Sequence, residues 1–224
     1  MTSLDHAMAA LRAHARPEQV AGMRRFAMAG AARLGVAVPV LRQLGRQFGP
    51  DHRLAMALWD TGIPDAQILA SMVAEPKQLT LRQMNAWSRS SGSWDVCDQA
   101  CLNAFVRSPL AWARVPVWAR AEDEWVRRAA FALLACLAVH DKAAADARFI
   151  QALSLIEAAS DDDRNFVKKA VNWALRQIGK RNAVLRTHAV ACAERIATAG
   201  HRAGRWIAAD ALRELRPPAD AKAT

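Results

Sequence analysis

No stretch of this chain alternates apolar and polar residues for long enough to make a strand; Pro, Gly and capping residues instead cut it into blocks of helical length. Pro17, Pro39, Pro64 and Pro109 stand where helices can open, because a fixed φ and a missing N–H cost little in a first turn. Asp51, Thr80, Ser93 and Asp123 stand where a side chain can accept from the first free backbone amides. Gly35, Gly49-Pro50 and Gly92 mark stops. The punctuation predicts about a dozen helices, over 4–15, 18–34, 39–48, 52–60, 64–75, 80–89, 94–107, from Pro109 onward, and over 124–140, 143–158, 162–180, 183–199 and 203–215. The second carries Val20, Met23, Met28 and Ala31 inward. Pro217-Pro218 ends the last helix and leaves a frayed tail, 217–224.

The fold class is therefore all-α. A hydrophobic share of 53%, much of it Ala and Leu, beside 23% charged residues, belongs to a globular helical chain of 224 residues. One domain spanning 1–216 is expected. Short links favour antiparallel neighbours, and stacked helix pairs at a period of roughly 35–45 residues suit the spacing, as in a HEAT-like helical repeat solenoid with a concave basic face. A globular helical bundle is the alternative. Lys and Arg number 31 against 21 Asp and Glu, a net charge of +10 that calls for a polyanionic partner: DNA, RNA or an acidic membrane surface. No segment reaches the roughly 18 uninterrupted apolar residues of a membrane span, and the expected location is cytoplasmic. Cys97 and Cys101 lie one helical turn apart, but no further ligand pair accompanies them, so no metal site is expected; all four cysteines read as reduced core residues.

The most chemical stretch is residues 92–98, Gly-Ser-Trp-Asp-Val-Cys-Asp. A helix opening at Trp94 places Trp94, Asp98, Cys101 and Phe105 on one face at about 100° per residue, with a carboxylate inside an apolar stripe. Such a position is either functional or occupied by a capping or salt-bridged core acid.

Two further helices carry unusual faces. Over 163–180, Val167, Val171, Ala174 and Ile178 form the inward stripe, while Phe166, Lys169, Trp173, Arg176 and Lys180 fall within about 80° of one another on the opposite side. Cations that neutralise phosphate, interleaved with aromatic faces, suit a nucleic-acid surface; ordinary core packing and solvated charge are the alternatives. In the helix from Glu124, Val126, Ala130, Leu133 and Leu137 point inward, with Arg128 opposite and Arg127 on a flank, so that Arg128 is expected to be available to an anion.

The stretches LGVAVPVLRQLGR from Leu34, SWDVCD from Ser93, EWVRRAAFALL from Glu124, FVKKAVNWALRQIGK from Phe166 and RWIAADALREL from Arg205 resemble, in order, the HEAT-like DNA alkylation repair family. That resemblance implies hydrolysis of the N-glycosidic bond of N3- and N7-alkylated purines in duplex DNA, without flipping the lesion and without a metal or organic cofactor. It implies Asp98 as the catalytic aspartate, with Trp94, Trp173 and Arg128 beside it and Phe166 in the matching position. Double-stranded DNA with alkylated purines is then the expected partner, met by a monomer. The chain departs from the family pattern at Ala37-Val38-Pro39, where a glutamine is usual, at Phe26 in place of a tyrosine, and at Ser91 in place of an acid. These positions bear on lesion contacts and substrate range. A non-catalytic protein for distorted or branched DNA, and a protein-interaction scaffold, are the rival readings.

Overall fold

The computed structural model describes residues 3–28, 30 and 32–216, and among these thirteen α-helices form without a strand. They are α1 Leu4–Ala13, α2 Pro17–Arg25, α3 Val38–Phe48, α4 His52–Asp60, α5 Pro64–Val73, α6 Leu81–Arg89, α7 Trp94–Asn103, α8 Ala111–Trp118, α9 Glu124–His140, α10 Asp146–Ala158, α11 Asn165–Arg181, α12 Ala183–Ala199 and α13 Arg202–Leu215. A 3₁₀ turn, Phe105–Arg107, follows α7. The expected caps form: Asp51 accepts from Leu54 N, Asp123 accepts from Val126 N, and Thr80 and Gln83 make a reciprocal capping box.

The chain divides into two compact units, Met1–Ala111 and Trp112–Thr224. In the first, α5 packs against α3, α4 and α7, and α1 lies on α4 and α5. Trp59 and Trp87 stack at 4.1 Å, Trp87 meets Phe105, and Trp59 Nε1 donates to Ser90 Oγ at 2.8 Å. In the second, α11 is the central element, packed against α9, α10, α12 and α13, with Val167, Val171, Ala174, Leu175 and Ile178 buried as the apolar periodicity requires. The tail expected over 217–224 lies outside the described residues.

Several boundaries differ from the sequence expectation, α10 and α11 among them, which open three residues later than expected. The second helix stops at Arg25 rather than near 34 and buries nothing. Ala27 turns left-handed at φ 57°, and Met28 N donates back to Met23 O at 3.1 Å, which closes the helix end. The reason is tertiary: Leu34 and Val36 amides bond the Asp65 carboxylate at 2.7 and 2.8 Å, and Arg16 N reaches Leu34 O at 2.9 Å, so the segment is held extended. Gly35 does not end a helix; at φ +81° its Cα lies so near the Arg16 carbonyl that a Cβ would stand 2.4 Å from that oxygen. Ala31, expected inward on the second helix, lies outside the described residues. The helix from Trp94 ends at Asn103 rather than 107, and α8 opens at Ala111, with Pro116 inside it, rather than at Pro109.

Candidate nucleic-acid interface

The first turn of α7 is fixed by a buried ion pair. Ser93 is extended and uses its hydroxyl not to cap the helix but to donate to Asp95 Oδ1 at 2.6 Å. Arg33, arriving from the α2–α3 connection, donates from Nη1 to Asp95 Oδ2 at 2.7 Å and from Nη2 to Asp95 Oδ1 at 3.0 Å and Ser93 Oγ at 3.2 Å. The two side chains are only 3% and 12% exposed, and a bidentate fork is the geometry in which such a pair tolerates burial. Trp94 Nε1 donates to the Phe26 carbonyl at 2.8 Å, tying the same turn to the end of α2. Phe26 itself, where the family pattern has tyrosine, is 72% exposed.

The carboxylate that this turn buries is thus Asp95. Asp98 and Trp94, one turn apart, are half-buried at the edge of the packed face formed by Val96, Cys97, Ala100 and Cys101. The expectation of Asp98 inside an apolar stripe that includes Phe105 is corrected: α7 ends before Phe105, which enters the core from the 3₁₀ turn.

In the second unit Arg128 is not on an open surface, as the helical wheel implied, but 4% exposed. Every residue from Arg128 to Ala138 is buried, so α9 is covered on all sides and an opposite face does not imply solvent. Arg128 Nη1 donates to the Phe166 carbonyl at 2.6 Å, beside the stack of Phe166 on Trp125 at 5.1 Å. Trp173 is half-buried; with the Gln177 amide oriented to satisfy its neighbours, its oxygen accepts from Trp173 Nε1 at 3.3 Å and Lys180 Nζ at 3.2 Å.

The cations of this face fall into two groups. Lys169 is exposed on α11. Arg176 and Lys180, expected to face a ligand, are engaged by α13: Arg176 Nη1 lies 2.5 Å and Lys180 Nζ 2.7 Å from Glu214, and Arg176 Nε lies 3.7 Å from Asp210. The bond from Lys180 is the main reason that the Glu214 carboxyl titrates below its usual range; burial works against the shift and Arg176 adds to it. Arg127 is 3.3 Å from Asp162, which also takes a forked contact from Arg164. Burial pushes the Asp162 carboxyl up, but bonds from the Arg164 side chain and backbone, with the charges of Arg164 and Arg127, hold it lower than usual.

Trp94 and Asp98 therefore come together in the first unit, and Arg128 and Phe166 in the second, while Trp173 stands two turns further along α11 beside Gln177. Arg33 and Asp95 were missed by the sequence reading. Asp95 is visible as an acid in a first turn, but nothing local marks Arg33, 62 positions away, as its partner. All four cysteines are free and buried, and burial near Glu157 pushes the Cys192 thiol up to about 12. Among the described residues no three His, Cys, Asp or Glu side chains group as a metal site, and no helix is long and apolar enough to cross a membrane.

The described residues form helices alone, and their arrangement is that of a HEAT-like helical repeat protein. The fold matches a solved structure reported as a new family of proteins related to the HEAT-like repeat DNA glycosylases with affinity for branched DNA structures, with a TM-score of 0.77 and 20% identity over 86% of this chain and 83% of that one. The chain belongs to the DNA alkylation repair enzyme family, whose model matches residues 7–215. No curated protein matches it significantly.

Proposed function

We propose that this protein is a monofunctional DNA glycosylase that releases positively charged N3- or N7-alkylated purines from duplex DNA by hydrolysis. The observation that carries the reading is the N-terminal half of α7, where Asp98 and Trp94 stand half-buried one turn apart on a segment locked by the Arg33–Asp95 fork. An alkylated purine is already cationic and leaves without a general acid. Its departure puts positive charge on the deoxyribose, and a carboxylate in a partly dry site stabilises that charge and orients the attacking water. Asp98 takes this role. Trp94, one helical turn away, offers an electron-rich face to the sugar. Arg128, bonded to the Phe166 carbonyl, fixes the start of α11 and the aromatic pair there. No step calls for a metal or an organic cofactor.

The test is single-turnover release of N7-methylguanine from duplex DNA at saturating protein. Asp98→Asn keeps the size and removes the charge; if that charge is worth about 3 kcal/mol or more at the transition state, release falls by roughly a hundredfold or more, since about 1.4 kcal/mol is tenfold. Release near the wild-type rate, with the fold intact by circular dichroism, would sink the assignment.

A second reading, a non-catalytic protein for branched DNA, is supported by the affinity reported for the structural relative. It predicts no base release from any alkylated duplex, together with tighter binding to a four-way junction than to linear duplex of the same length.

A further inference from the structure

Arg42, Arg46 and Arg107 meet around a groove of about 410 Å³ in the first unit, floored by Gly45 and Met72 and edged by Asn103. All three arginines are exposed, and no Asp or Glu lines the groove. The fold brings them together in two steps. Gly45 lets α3 settle on α5, since a Cβ at this position would stand 3.1 Å from Met72 Cβ, and that contact places Arg42 and Arg46, one turn apart, over the Met72 side of α5. At the end of α7, Asn103 Nδ2 donates to Ser71 Oγ at 3.0 Å, pinning this helix to α5, and the 3₁₀ turn that follows carries Arg107 to the same groove.

Three guanidinium groups around one cleft repel each other, and no carboxylate in it compensates them. The partial negative charge at the C-terminal end of α3 amounts to only about half an elementary charge, against three full positive ones, so the groove is positive in sum. Planar guanidinium forks match the paired oxygens of a phosphate, and arginines one helical turn apart can reach neighbouring groups along a strand. None of these residues belongs to the α7 or α11 faces described above.

We propose that this groove seats backbone phosphates of a duplex DNA strand, an inference that rests on the DNA-binding reading and adds to it a phosphate seat on α3, α5 and the turn after α7. Each arginine then displaces about one counterion, and the salt dependence of binding reports it.

The experiment is a titration of unmodified fluorescent duplex by full-length protein over a series of chloride concentrations. The variant Arg42→Gln, Arg46→Gln, Arg107→Gln should bind at least tenfold more weakly at low salt, with a log–log slope shallower by about 2–3. The matching triple lysine variant keeps the charge and should keep most of the slope; a lysine variant as weak as the glutamine one overturns the proposal, since charge would not be the cause. Inorganic phosphate serves as the second probe. If it binds the wild-type protein and not the glutamine variant while the DNA slopes of the two agree, the groove takes free phosphate and the proposal fails. Wild-type binding with an unchanged glutamine variant removes the groove alone. Absence of duplex binding by the wild-type protein at low salt removes the DNA reading and the groove with it.

Discussion

Asp95 and Arg33 sit together where neither charge could stay alone. Taking a carboxylate and a guanidinium out of water costs several kcal/mol each, and the forked bonds with the Ser93 hydroxyl offset that cost only while the set is complete. Asp95→Ala leaves the Arg33 guanidinium buried without this carboxylate and should destabilise the protein by about 3–5 kcal/mol in urea unfolding. Arg33→Met with Asp95→Leu should recover most of the loss, because apolar groups of similar volume need no compensation there. A loss under about 1 kcal/mol for Asp95→Ala would show that the pair is not what holds this turn. The consequence for chemistry is indirect: Trp94 opens that turn and Asp98 follows it one turn on, so the Arg33 fork sets where they stand.

At the scale of the element, α11 shows how a helix face can be read correctly and still be engaged differently. Its inward stripe is buried as the periodicity requires, yet two of its outward cations, Arg176 and Lys180, are held by Glu214 on α13. Glu214→Gln removes one negative charge and frees Lys180 from its ion pair, while Arg176 keeps Asp210 at 3.7 Å, so duplex binding should tighten and its log–log salt slope steepen by about 1. An unchanged slope would place these cations outside the interface. The same contact gives a pH signature. The folded Glu214 pKa lies below its ordinary 4.5, so its contribution to stability is fully present above about that pH and is lost as pH falls through the folded value. The stability difference between wild type and Glu214→Gln should therefore be present at neutral pH and vanish on strong acidification.

For the whole molecule, an excess of 31 basic over 21 acidic residues makes attraction to a polyanion the leading long-range force. Chemistry on the DNA is a separate matter, decided by a few groups. The segment Trp94–Asn103 holds two carboxylates and no lysine, so the proposed reaction runs through water rather than an amine. The product should be an intact strand with an abasic site, and borohydride added during turnover should trap no protein–DNA adduct. A trapped adduct would move the chemistry to an amine elsewhere in the chain.

The sequence by itself determined the helical class, most helix boundaries and the amphipathic stripes, because those depend on caps, proline and the 3.6-residue period, all local. The starts of α4, α6 and α9 fall where Asp51, Thr80 and Asp123 accept from free amides. It also marked the Ser93–Asp98 turn, by the resemblance of its residues and by one carboxylate too many. What only the tertiary structure decided depends on contacts far apart in the chain. The end of α2 was set by Asp65 holding Leu34 and Val36. The burial of Arg128 followed from neighbours on every side of α9, which no helical wheel can show. Pairings such as Arg33 with Asp95 and Lys180 with Glu214 join residues tens of positions apart, and a sequence pattern carries no term for which charges the fold will bring within 3 Å of each other.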